Sequence, residues 1–250
     1  MTPKRSALRT INEVRIDQHA VENAILLSLP NAECRELFPK LEFAALPLHS
    51  VLNEAGENIK HAYFVNGGLG SVLTMLSDGK SVEVGLTGAE GFVGVPLIAG
   101  LRSSHTRTLM QIAGTAFRIK ADDLRTAIRQ CPQLMRRLLR YAQQLAMQAS
   151  QIGACNRVHS VDERLARWLL MSQDRLAGDV VPLTQEFLSH MLGTRRASVT
   201  VAAGILQKAG LISYSRGSLK IDDRAGLERA SCECYRSIVN QTKKWNAESD

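Results

Sequence analysis

The chain has 250 residues, of which 45% are hydrophobic and 22% charged, and a formal net charge of +7. That length suggests two domains, and the longest apolar runs, such as Val93 to Leu101, are far too short to cross a bilayer, which excludes a transmembrane helix. Basic residues at the N-terminus are followed by no continuous apolar stretch, which argues against a secretory signal and for a cytoplasmic protein with no membrane partner. Five scattered cysteines, an odd number, do not form a disulfide framework and are expected as reduced thiols. The charge is uneven: residues 25–130 carry ten Lys/Arg and ten Asp/Glu, whereas residues 131–250 carry seventeen and eleven, an excess of six. A neutral half joined to a basic half fits a sensor joined to a polyanion binder, because Lys/Arg pairing with phosphates releases counterions.

In chain order, residues 1–23 are polar and read as a loosely held arm. Residues 24–41, interrupted by Pro30 and Pro39, suggest one or two short helices. Between Gly56 and Gly114 lie eleven of the eighteen glycines, separating short runs such as HAYFV, SVLTML, SVEVGL, RTLMQIAG and TAFRI. This grammar predicts many short strands with tight turns, as in a small antiparallel barrel or jelly roll, with Ser77 to Lys80 as the clearest hairpin turn. A short helix near residues 122–129 is followed after Pro132 by a long one. Leu134, Leu138, Tyr141, Leu145 and Ile152 form a narrow seam on it, which suits a homodimer interface. The domains so expected are a sensor over 24–130, a dimerisation helix over 131–157 and a C-terminal domain over 158–250.

The C-terminal domain opens with a capping box, Ser160 and Glu163, ahead of an apolar face of Leu165, Trp168, Leu169 and Leu176. The most informative stretch is LTQEFLSHMLGTRRASVTVAAGILQKAGLISYSRGSLKI, residues 183–221. Thr184 caps a short helix to Leu192, Gly193 supplies a sharp turn, and a second helix runs from Arg195 to Ala209. Alternating Ile212/Tyr214 and Leu219/Ile221 around Arg216-Gly217 form a hairpin wing. This is the pattern of a winged helix-turn-helix, so the expected partner is double-stranded DNA. The candidate contact residues are Thr184, Gln185, Arg195, Arg196, Ser198, Thr200, Lys208, Arg216 and Lys220.

The same stretch resembles the helix-turn-helix of the Crp/Fnr regulators, and SYSRGSLKIDDRAGLE resembles their wing and closing segment. The glycine-rich half is similar to their cyclic-nucleotide-binding-type jelly roll. The resemblance implies an α+β protein: an N-terminal antiparallel β jelly roll, a long dimerisation helix and a C-terminal winged helix-turn-helix. It further implies a homodimer acting with RNA polymerase, and it makes Arg196 the main base-reading arginine. Ala197 and Val201 depart from the glutamate and arginine frequent there. In relatives that bind cyclic AMP, a Gly-Glu pair and an Arg-Ser or Arg-Thr pair hold the ligand. Here Gly94 is followed by Val95 in place of the carboxylate, with Glu90 out of register, while Arg107 and Thr108 align with the second pair. A cyclic nucleotide is therefore only half matched.

Other chemistry finds little support. Cys34 is the sole cysteine before Cys131, which argues against an iron-sulfur cluster of the N-terminal type. Cys232 and Cys234, if helical, would point to nearly opposite sides, which argues against a shared metal and for packing of Cys234 with Leu227, Tyr235 and Ile238. His19, His49, His61, His105, His159 and His190 show no HxxxH spacing, so no metal ligands are expected. The chain has no GxSxG elbow, Walker loop, dinucleotide fingerprint or HExxH helix, which argues against an enzyme. The alternative is a nucleotide-sensing module that acts on a protein partner without touching DNA.

Overall fold

The computed structural model describes residues 14–176, 180–182, 185–215 and 218–248. A two-stranded ribbon, β1 (Arg15–Ile16) and β2 (His19–Ala20), leads into two short helices, α1 (Ala24–Leu27) and α2 (Asn31–Leu37). The part of the arm that is described is anchored. Ile16 and Val21 are buried, and the Asn23 side chain donates to the carbonyls of Val65 and Gly91 at 2.7 and 2.9 Å.

The antiparallel sheet follows: β3 (Glu42–Leu46), β4 (Val51–Asn53), β5 (His61–Met75), β6 (Ser81–Thr87), β7 (Phe92–Val93) and β8 (Thr106–Lys120). Its order is β3-β8-β5-β6, with β4 also on β8 and β7 on β5. The expectation of many short strands needs one correction. HAYFV and SVLTML belong to a single 15-residue strand, as do RTLMQIAG and TAFRI. The glycines between them are sites of close approach within the pair. The register of β5 on β8 shifts at Val65/Gly67, Gly67/Leu69 and Leu69/Gly70, and a Cβ on Gly114 would collide with the Gly67 carbonyl oxygen. Such bulges bend a ladder without ending it. The predicted hairpin is present: Leu76 N–H donates to the Lys80 carbonyl at 2.8 Å, and Gly79 takes φ +82°.

Helices α3 (Ala121–Gln130), α4 (Pro132–Val158) and α5 (Val161–Gln173) carry the chain out of the sheet. The seam expected to face a second chain turns inward. Leu134, Leu138, Tyr141 and Ile152 are buried within this one chain, and the first three join Phe64, Phe92 and Phe117 in one apolar cluster. Leu145 is half-buried, its Cδ1 2.7 Å from where a Gly85 Cβ would stand. A stripe that fills its own domain's core cannot pair with a partner. The solvent face of α4 instead runs through Leu139, Gln143, Ala146, Ser150 and Gly153, all exposed at alternating four- and three-residue steps.

The rest comprises β9 (Val180–Pro182), α6 (Gln185–Met191), α7 (Arg196–Lys208), β10 (Ile212–Ser215), β11 (Ser218–Ile221), α8 (Arg224–Ala230) and α9 (Cys234–Ala247). The strands form one small sheet in the order β10-β11-β9. The capping box forms as read, with Ser160 N–H donating to Glu163 Oε2 at 2.9 Å. The C-terminal core of Leu165, Trp168, Leu169, Leu188, Val199 and Leu206 is continuous with Leu69, Leu73 and Leu86 of the N-terminal sheet. Among the described residues no helix is long and apolar enough to cross a membrane.

Candidate nucleic-acid interface

The helix pair α6–α7 is built by local sequence. Gly193 adopts φ +56°, which lets the chain reverse, and Thr194 N–H donates to the Ser189 carbonyl at 3.0 Å. Ser189 on α6 is buried and lines the cleft beside the start of α7. Leu188, Met191, Leu192, Val199, Ala202, Ala203 and Leu206 pack the pair onto α5. Arg164, buried on α5, donates to the Leu192 carbonyl and so satisfies one of the oxygens left open at the end of α6.

The opposite face of α7 is open. Arg195 is its N-cap, Arg196 its first residue, and both are exposed, as are Ala197, Thr200, Val201 and Lys208. The N-cap side chain makes no capping bond and the first turn has no acid, so backbone N–H groups and the positive helix end remain available to an anion. Neither Arg195 nor Arg196 forms an ion pair among the described residues. Ser198 is half-buried, and Thr200 Oγ1 donates back to the Arg196 carbonyl at 3.1 Å. In the wing, Ile212 pairs with Ile221 and Tyr214 with Leu219, and β11 continues onto β9. Lys220 is exposed and lies 3.4 Å from Asp222. Thr184 and Arg216 lie outside the described residues, as does the side chain of Gln185.

One relationship was not legible beforehand. The start of α7 faces the β5–β6 hairpin of the N-terminal sheet across a cleft of about 970 Å³, lined by Leu76, Asp78, Lys80, Val82, Gly193 and Arg195 among others. A Cβ on Gly193 would stand 3.1 Å from Val82 Cγ2. Two further links tie the halves: Trp168 Nε1 donates to Glu83 Oε1 at 2.8 Å, and Arg175 Nε donates to Glu90 Oε1 at 2.7 Å. Glu90 is therefore engaged by an arginine.

The effector candidates are separated. Gly94 takes φ +117° at the start of a 3-10 turn, and a Cβ there would meet Ala62 Cβ at 2.8 Å. Arg107 pairs with Glu54 at 2.9 Å and lines the interdomain cleft, whereas Thr108 is buried opposite Val72 and Asn53. Gly94 and Thr108 do not line the cleft that contains Arg107.

A bent antiparallel sheet, a long connecting helix and a winged helix-turn-helix with a basic second helix define a DNA-binding regulator architecture. The Crp-like helix-turn-helix domain model matches residues 163–230, and the chain carries that domain on the fold of the Crp/Fnr transcriptional regulators. Similar solved structures include a regulator assigned to the Crp/Fnr family from Eubacterium rectale, with TM-score 0.67 and 15% identity over 84% of this chain and 98% of that one. FixK2 from Bradyrhizobium japonicum has TM-score 0.66 and 18% identity over 77% and 98%. The c-di-GMP-responsive regulator CLP from Xanthomonas campestris has TM-score 0.64 and 14% identity over 78% and 100%. No curated protein matches the chain. The structures from Eubacterium rectale and Xanthomonas campestris are described as regulators.

Proposed function

We propose that the protein is a homodimeric, sequence-specific transcription regulator in which α7 enters the major groove and the sensor half governs its access. The observation that supports this most is the pair Arg195 and Arg196, exposed at an uncapped helix start and free of ion pairs among the described residues. An Arg fork there can donate two hydrogen bonds to one guanine, while neighbouring N–H groups hold phosphate. Selection of bound fragments from random duplex DNA tests it. The expected result is a two-fold operator whose preference relaxes at one position per half-site in Arg196→Ala. Binding with no sequence preference would refute it, and no DNA binding at all would favour the reading in which the protein acts only on a protein partner.

For the dimer, the exposed α4 stripe is the better surface. Leu139 is 51% exposed, and a Cβ on Gly153 would meet nothing within 4 Å, so Ala146 and Gly153 let a second helix approach closely. A two-fold protein then presents two α7 helices about one DNA turn apart. The hairpin Asp78–Lys80 stands over the start of α7, so entry into a groove requires the two to separate. An effector that favours the separated state would raise DNA affinity. RNA polymerase as a partner and a cytoplasmic location follow from this reading.

A further inference from the structure

A second constellation lies far from the DNA face, where α4 ends. Cys155 is on the last turns of α4 and His159 caps it, four residues apart and so on one side of the helix. Cys232 lies in the break between α8 and α9, and Cys234 is the first residue of α9. Residues two apart diverge only when both are helical. Here the chain turns between them and brings both thiols to the same place.

The four potential ligand atoms, three Sγ and one imidazole nitrogen, lie within 4.8 Å of one another. Cys155 Sγ is 3.4 Å from Cys232 Sγ, and Cys234 Sγ is 3.6 Å from His159 Nδ1. A tetrahedral zinc ion with sulfur at about 2.3 Å and nitrogen at about 2.0 Å places its ligands roughly 3.5 to 3.8 Å apart. The set therefore closes around one ion with small side-chain rotations. It is too tight for an iron-sulfur cluster, which interposes iron and sulfide between its thiolates.

The surroundings suit the same occupant. His159 Nε2 is 3.1 Å from Glu233 Oε2, and a proton held there leaves the Nδ1 lone pair free to bind metal. Gln151 Nε2 donates to Cys234 Sγ at 3.1 Å, a bond that favours thiolate. The three cysteines are buried. Arg164 and Arg167, buried on the adjoining α5, each keep a guanidinium Nε without a hydrogen-bond partner among the described residues and bring positive charge to a site with three thiolates.

We propose that Cys155, His159, Cys232 and Cys234 bind one zinc-type divalent cation, which ties the end of α4 to the C-terminal helices of the DNA-binding half. Binding releases the thiol protons to solvent, so affinity rises with pH. The bound ion would clamp the segment from which α5, and with it the helix-turn-helix, departs.

Elemental analysis of the reduced full-length protein, and its titration with Co²⁺ as a spectroscopic probe, test the site. The expected result is about one zinc per chain and the visible ligand-field bands of a tetrahedral thiolate complex. Cys155→Ser and Cys232→Ser should lose the metal, while Cys34→Ser should retain it. Glu233→Ala should keep the stoichiometry but weaken zinc affinity by about 10- to 100-fold in chelator competition. Wild-type protein that holds no zinc and gives no tetrahedral Co²⁺ spectrum would overturn the proposal, and this readout does not depend on whether any variant folds. So would a Cys155–Cys232 disulfide found by mass spectrometry, or equal metal content in all the cysteine variants.

Discussion

The indole N–H of Trp168 on α5 meets the carboxylate of Glu83 on β6 at 2.8 Å, joining the two halves of the molecule through a buried pair. Ser71 Oγ lies 2.6 Å from the other Glu83 oxygen and 3.1 Å from Gln111 Oε1. Burial raises the Glu83 pKa to about 7, against the lowering effects of Ser71, Trp168, Arg167 and Arg175. Ser71 and Trp168 donate to the two carboxyl oxygens, which holds the pKa below what burial alone would impose.

Stability should consequently depend on pH in a defined sense. An acid with a folded pKa of about 7 and an unfolded value of 4.5 binds its proton more tightly when folded. Its contribution is complete below 4.5 and lost as pH rises to 7, by roughly 3 kcal/mol at most. Thermal melts from pH 5 to 8 should show a falling midpoint, and Glu83→Gln should flatten that profile. An unchanged slope in the variant would remove Glu83 as its source.

Arg196→Ala should cost about 1 to 3 kcal/mol on the best operator and relax one position per half-site, as read by competition binding. Arg216→Ala, between β10 and β11 in sequence, should instead lower the salt dependence by roughly one phosphate contact per subunit and keep the preferred sequence.

The two faces of α4 should respond differently to charge. Leu139→Glu with Ala146→Glu, on the exposed stripe, should give folded monomers in light scattering. Leu138→Glu puts a carboxylate into the N-terminal core and should cost several kcal/mol, seen as loss of the folded state. A folded monomer from Leu138→Glu would restore the inner seam as the interface.

Shortening the hairpin at Asp78–Lys80 should raise DNA affinity in the absence of effector, since it removes the wall opposite Arg195. Equal affinity of the shortened and parent proteins would show that the hairpin does not gate α7.

The helix-turn-helix was legible because its determinants are local: a turn glycine, a small residue at the crossing and apolar positions at helical spacing all lie between Leu188 and Leu206. What escaped depends on distant partners. Glycines at 67, 68 and 114 read as turns, yet they mark a place where two long strands press together. The seam of Leu134, Leu138 and Tyr141 was read correctly as apolar, but periodicity does not say which surface will cover it. Cys155 and Cys232 are 77 residues apart, and only the return of α9 along α4 unites them. The four-residue spacing of Cys155 and His159 and the Cys232/Cys234 pair were the local signals of that site.

The continuous core from Leu69, Leu73 and Leu86 to Trp168, Leu188 and Leu206 also has a calorimetric consequence. Docked halves that share one apolar interior should melt in a single cooperative transition. Releasing α5–α7 from the sheet wets part of that interior, so activation should carry a positive heat-capacity change. The driving force for a switch built this way varies with temperature, and the same effector should meet a different resting equilibrium in a cold cell than in a warm one.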